Sequence, residues 1–254
     1  MSMGAGRLMA ESKPEMETNL REEAIRLFTE TLKEISVGKV VRENIQLSDT
    51  TVRIGSSEFD LTAFDNLLMI AIGKASIPMA EVALQVLGQR ITAGIVASNE
   101  PATSGLLAVP SVRAFQGGHP LPNSDSRDSA NAAINLLRKY DSNRTLILFL
   151  ISGGGSALFE TPIDESISLD DLREVNRVLV GCGAVISEMN IVRRFLSKVK
   201  GGKLAAAAPN SHQVSLYISD VNSDDLSSIS SGPSCAGSAT RKDFLEIVDR
   251  FRLK

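Results

Sequence analysis

Apolar and polar positions alternate along this chain in two periods, and the changes between them mark its elements. Leu20, Ala24, Leu27, Phe28, Leu32 and Ile35 recur at helical spacing, which predicts a helix over residues 17–35. Residues 51–59 alternate around Gly55-Ser56, the pattern of a small hairpin. Strand and helix signals then take turns. Strands are predicted over 66–72, 94–98, 112–115, 145–151 and 213–219. Helices are predicted over 74–88, 124–140, 168–180 and 187–198. Asn123 or Ser124 caps one of them, Ser168 another, and Thr240 with Asp243 forms a capping-box variant before a last helix to Arg250. Alternating β and α units predict an α/β fold, a three-layer α/β/α Rossmann-like domain with a mostly parallel sheet. Residues 1–15 read as a polar, mobile lead, and residues 16–254 as one domain.

The polar clusters fall just after the predicted strands. Gly73-Lys74, Ser98-Asn99, Gly117-Gly118-His119-Pro120, Ser152 to Ser156 and Ser219-Asp220 each follow one. In a parallel sheet these clusters share one rim, where open α/β sheets bind ligands. The apolar run 145–151 opens into Ser152-Gly153-Gly154-Gly155-Ser156. Three glycines without Cβ atoms let backbone N–H groups close on an anion, and the serines add hydroxyl donors. The plain alternative is a tight strand-to-helix turn.

Lys74 reads equally as a lysine reaching toward an anionic ligand and as a solvated side chain. A Walker A motif is excluded, because Leu68 and Ala75 stand where it needs Gly and Ser or Thr. Leu158 stands where both the third glycine of a dinucleotide fingerprint and the last glycine of a hydrolase elbow belong. Arg193 and Lys200, near a basic helix end that runs into Gly201-Gly202, read either as clamps for a phosphate or carboxylate or as cations placed against a helix dipole. Asp220 is the carboxylate best placed to meet Mg²⁺ or to take a proton from a hydroxyl. Ser230-Ser231-Gly232-Pro233 reads as a further turn with N–H donors. His119 is read as a ligand contact or a loop-fixing hydrogen bond.

Composition narrows the classes. The 254 residues are 43% hydrophobic, ample for a core, and the net charge of −3 gives no footprint for nucleic acid. Apolar runs such as 67–72 and 146–151 are too short to span a bilayer. No secretory signal is visible, and Cys182 and Cys235 read as free thiols, so a cytoplasmic enzyme is expected.

Six segments in order resemble the glycerate 2-kinase family whose members carry a C-terminal MOFRL domain. They are Ile70-Ala-Ile-Gly-Lys-Ala75, Gly117-Gly-His-Pro-Leu-Pro122, Leu150-Ile-Ser-Gly-Gly-Gly-Ser-Ala-Leu158, Asn190-Ile-Val-Arg-Arg194, Leu196 to Ala205, and Ile218-Ser-Asp-Val221 through Ser231-Gly-Pro233. The resemblance implies ATP- and Mg²⁺-dependent phosphorylation of D-glycerate to 2-phosphoglycerate. It implies Lys74 and Asp220 as catalytic groups, with Asp220 also as metal partner. Ser152, Gly153, Gly154, Gly155, Ser156, Ser231 and Gly232 would hold phosphate or nucleotide, and His119, Asn190, Arg193 and Lys200 the substrate. Such kinases place their active site between this domain and a second, C-terminal one that these residues lack. The expectation is therefore a truncated chain, with a homodimer or a separate second domain as its partner. Asn222 to Asp225 also departs from the Gly-Asp-Asp turn usual in the family, and Ser230-Ser231 from Ala-Ser. Two alternatives remain: a non-catalytic or split-enzyme ligand-binding domain, and an NAD(P)-dependent hydroxypyruvate reductase, a label relatives often carry, which the missing dinucleotide fingerprint disfavours.

Overall fold

The computed structural model describes residues 13–34, 36–219 and 225–253. Helix α1 (Lys13–Glu34) begins inside the expected lead and stands off the body, with Leu20, Ile25, Leu27, Phe28 and Leu32 all exposed. Helix α2 (Val37–Asn44), capped by the Ser36 side chain on Lys39 N–H, leads into β1 (Ile45–Ser48). The predicted hairpin forms β2 (Thr51–Ile54) and β3 (Ser57–Asp60), and β1 completes a three-stranded antiparallel sheet.

The main body alternates as the sequence predicts. It runs β4 (Asn66–Ile72), α3 (Ser76–Leu87), β5 (Ala93–Ser98), the single-turn α4 (Ser104–Leu107), β6 (Val112–Gln116), α5 (Ser124–Tyr140), β7 (Thr145–Ser152) and the single-turn α6 (Gly155–Leu158). Then come α7 (Leu169–Gly181), α8 (Ile186–Leu196), β8 (His212–Ile218) and α9 (Arg241–Phe251). The Ser168 and Thr240 capping boxes both form, as does one at Asn123.

Five strands pair in parallel in the order β6-β5-β4-β7-β8. The chain moves outward from β4 to β6, then returns to lay β7 on the other side of β4. The order reverses between β4 and β7, which makes that crevice the topological switch point.

Both central strands are covered on both faces. Leu67, Met69 and Ala71 of β4 and Leu146, Leu148 and Leu150 of β7 pack toward α2, α3 and the small sheet. Leu68, Ile70 and Ile72 with Ile147, Phe149 and Ile151 pack toward α5 on the other side. That explains why 146–151 reads as unbroken apolar sequence: neither face needs a polar residue. Each of the larger side chains, the leucines, isoleucines, Met69 and Phe149, stabilises the fold by about 1.5–3 kcal/mol. A satellite core joins α7, α8 and α9 around Leu179, Val192 and Ile247.

Candidate functional site

At the switch point the loops after β4 and β7 are fastened to each other. Lys74 N–H donates to Gly153 O at 2.9 Å, and Ala75 N–H donates to Ser152 Oγ at 3.0 Å. Gly73 has φ +116°, and a Cβ there would stand 2.3 Å from Ser152 Oγ and 2.4 Å from Ser152 O. Only glycine allows so close an approach. These bonds also delay the helix: α3 begins at Ser76, so Lys74 lies in the turn and not in the helix predicted from residue 74. The Lys74 side chain is exposed, and its stem crosses Gly154, where a Cβ would stand 3.0 Å from Lys74 Cγ. The glycine loop thus makes a bed for the lysine stem.

His119 shares this rim. Partial burial first, and then the charge of Lys74, hold its imidazole below the ordinary histidine range. Lys74→Ala removes the second cause, so the His119 pKa rises. An NMR titration of the imidazole reads this, and an unmoved pKa would mean that the two side chains are electrostatically independent.

A second turn locks onto the same loop. Ser230 Oγ donates to Ser152 O at 2.6 Å and accepts from Gly155 N–H at 3.0 Å. Ser231 Oγ lies 2.7 Å from Ser156 Oγ and donates to Asn190 Oδ1 at 3.0 Å. Arg193 reaches the same Asn190 oxygen through Nη1 at 3.4 Å, and its Nε donates to Asn176 Oδ1 at 2.7 Å. Ser230, Ser231 and Gly232 hold consecutive φ values of +52°, +60° and +67°. The two serines pay about 1–3 kcal/mol each for that conformation. The hydroxyl bonds that hold them span α8 and the β7 turn. Removing the Ser230 hydroxyl (Ser230→Ala) leaves Gly155 N–H without its acceptor and Ser152 O without its donor. We expect a loss of about 1–3 kcal/mol, read as a lower urea midpoint with unchanged m-value. An unchanged midpoint would show that this lock contributes nothing.

Lys74, Gly153, Gly154, Gly155, Ser152, Ser156, Ser231, Gly232, Asn190 and Arg193 thus gather around one connected set of loops, with His119 at the edge. Two of the donors expected for an anion are engaged internally: Gly155 N–H on Ser230 Oγ and the Ser152 hydroxyl on Ile72 O.

Lys200 has a different setting. It is 1% exposed, and its Nζ pairs with Glu160 Oε2. Burial pushes the ammonium below the ordinary lysine range, against the pull of Glu160. Glu160 is itself 4% exposed, and its Oε1 is buried without a hydrogen-bond partner. Sequence reasoning missed Glu160; the available signal was a lone acid in Ala157-Leu-Phe-Glu-Thr161. Asp220 lies outside the described residues. Among the described residues no three His, Cys, Asp or Glu side chains gather as a metal set, and no helix is long and apolar enough to cross a membrane. Cys182 and Cys235 are both free thiols.

Comparison with known proteins finds relatives by sequence and a structural neighbour by fold. The chain is 33% identical over 227 residues to D-glycerate 2-kinase of Thermotoga maritima, covering 89% of this chain and 52% of the relative. It is 34% identical over 233 residues to glycerate 2-kinase of Pyrococcus horikoshii, covering 92% and 51%. A protein of Agrobacterium vitis named putative hydroxypyruvate reductase is 40% identical over 188 residues, covering 73% and 47%. The crystal structure of the PH0495 protein from Pyrococcus horikoshii superposes with TM-score 0.80 at 33% identity, over 92% of this chain and 51% of that one. The chain spans about half the length of the curated relatives it matches. A family profile described as a domain of unknown function (DUF4147) matches residues 23–254, and the chain belongs to that family, whose named relatives include glycerate 2-kinases.

Proposed function

We propose that this domain carries the phosphate-handling part of a glycerate 2-kinase, which transfers the terminal phosphoryl group of ATP to the 2-hydroxyl of D-glycerate. The observation that supports the reading best is the switch-point cradle. A cationic side chain is laid across a glycine loop at the carboxyl ends of two parallel strands, where such sheets bind ligands. Phosphoryl transfer requires little covalent chemistry from the protein and depends on positioning and charge stabilisation. Lys74 supplies a charge on a fixed stem, able to offset the charge that develops on the transferred group. The loop over Gly153–Gly155 offers a surface free of Cβ atoms against which phosphate oxygens can lie. Arg193, oriented by Asn190 and Asn176, has the planar fork that suits a carboxylate or phosphate.

Mg²⁺ bound with the nucleotide would neutralise phosphate charge. Mg²⁺ commonly takes only one or two protein carboxylates and completes its shell with phosphate and water. Asp220, proposed from the sequence, is the carboxylate of this chain for that role and for accepting the hydroxyl proton.

The relatives are about twice as long, and we assign the rest of the site to the half of their length that lies outside these residues. The test is coupled ADP release from ATP, Mg²⁺ and D-glycerate, run beside calorimetric ATP binding. Release that requires D-glycerate establishes a complete site here, shared across a homodimer if the chain pairs. ATP binding without release limits the role to a nucleotide-holding half. Absence of both from folded protein overturns the reading, and oxidation of NAD(P)H by hydroxypyruvate would replace it with the reductase.

A further inference from the structure

A second group of cations lies behind the Ser230–Gly232 turn and takes no part in the switch-point cradle. Arg194 and Lys203 are both half-buried and line a cavity of about 300 Å³ together with Ile163, Phe195, Gly201 and Gly237. That volume is at the small end of ligand pockets.

Neither cation has a carboxylate partner within ion-pair distance among the described residues. Arg194 Nη2 donates to Ser227 O at 2.6 Å and to Ser227 Oγ at 3.1 Å, and its Nε is buried with no partner. Lys203 Nζ donates to two main-chain oxygens, Arg194 O and Ser197 O, leaving one ammonium hydrogen. The acids that influence the pair are committed elsewhere. Asp225 is engaged by Ser227 and Ser228, and Glu160 is engaged by Lys200.

The pocket is also shaped around the guanidinium. A Cβ on Gly237 would stand 2.4 Å from Arg194 Nη1, so the fork lies directly against the main chain there. A Cβ on Gly201, with φ +63°, would stand 3.4 Å from Arg194 Cδ and Cγ. Two half-buried charges that hydrogen-bond only to neutral oxygens are incompletely compensated, and an oxyanion in the cavity supplies the missing charge and an acceptor for the remaining Lys203 ammonium hydrogen.

We propose that the cavity between Arg194 and Lys203 is a binding site for a small oxyanion, a phosphate or a compact phosphorylated or carboxylated molecule, separate from the switch-point cradle. Arg194 holds Ser227, three residues before Ser230. Occupancy therefore firms the turn that locks the glycine loop.

Isothermal titration with inorganic phosphate at low ionic strength tests this. The native chain shows a component that Arg194→Gln weakens by about ten- to a hundred-fold, as expected for loss of a charge-assisted bond. Lys74→Ala leaves this component in place and removes only phosphate bound at the cradle. If Lys74→Ala changes nothing while Arg194→Gln abolishes binding, this site stands and the proposed cradle fails. An Arg194→Gln isotherm that superimposes on the native one overturns the site. A crystal of the native chain soaked in tungstate gives a reading that needs no variant. Density between Arg194 and Lys203 supports the site, and a clear soak with density elsewhere only overturns it.

Discussion

Lys74→Ala is expected to lower glycerate phosphorylation by about 10²–10³-fold while leaving the fold intact. The two halves of that expectation have separate physical causes. Lys74 is exposed, and what anchors its turn is main chain: its own N–H on Gly153 O and the neighbouring Ala75 N–H on Ser152 Oγ. Alanine keeps both bonds, so stability should change by no more than about 0.5 kcal/mol. The loss falls on the charge at the end of the stem, which can be expressed fully only when negative charge develops on a phosphoryl group beside Gly154. The effect should therefore appear mainly in kcat, with a smaller change in KM. Lys74→Arg keeps the charge but replaces a compact ammonium with a broad planar fork, and should recover part of the rate. The measurement is steady-state kinetics on an assembly that phosphorylates D-glycerate, with a thermal melt of the same sample. A rate within a few-fold of native, with an unchanged melt, would remove Lys74 from the chemistry.

Much of this site could be read in the sequence because the sheet imposes its own pattern. Residues 146–151 and 67–72 are apolar throughout because both faces of β4 and β7 are covered, one by helices and the small sheet and the other by α5. The polar clusters follow strands because the strand ends are where the main chain leaves the core. Helix boundaries were legible where side chains close a cap, as at Asn123, Ser168 and Thr240. Residues 37–48 were not legible. They change from helix to strand within twelve positions, too few for either period to show, and Gly38 weakens the helical signal. The start of α3 was set too early because the bond from Lys74 to Gly153 belongs to tertiary structure. Strand order is also absent from local pattern, so the switch point between β4 and β7 could not be placed. The bonding role of Ser230 and the whole of Glu160 were missed for the same reason. Their partners lie 75 and 78 residues away for Ser230 and 40 for Glu160, and a serine beside a serine or an acid in an apolar segment carries no periodicity.

Breaking the Glu160–Lys200 pair from either side is expected to cost about 3–5 kcal/mol, a large share of the total stability of a domain. Lys200 is 1% exposed and Glu160 4%, so neither charge can turn to water when its partner is lost. Glu160→Gln keeps the shape and removes the charge, leaving a buried ammonium that burial already disfavours. Lys200→Met keeps the stem and strands a carboxylate whose Oε1 has no other partner. For a chain of this length each single change should lower Tm by roughly 6–20 °C. The double change, Glu160→Leu with Lys200→Met, removes both charges together and should recover most of that loss, because the desolvation cost disappears along with the attraction. A single variant that melts like the native protein would show that the pair is not closed to solvent. The double variant also decides what Lys200 does. If native stability returns with native phosphorylation, Lys200 serves the fold and Arg193 is left as the basic clamp. If stability returns and activity does not, Lys200 leaves Glu160 to meet the substrate, and the buried pair is the resting arrangement of a catalytic site.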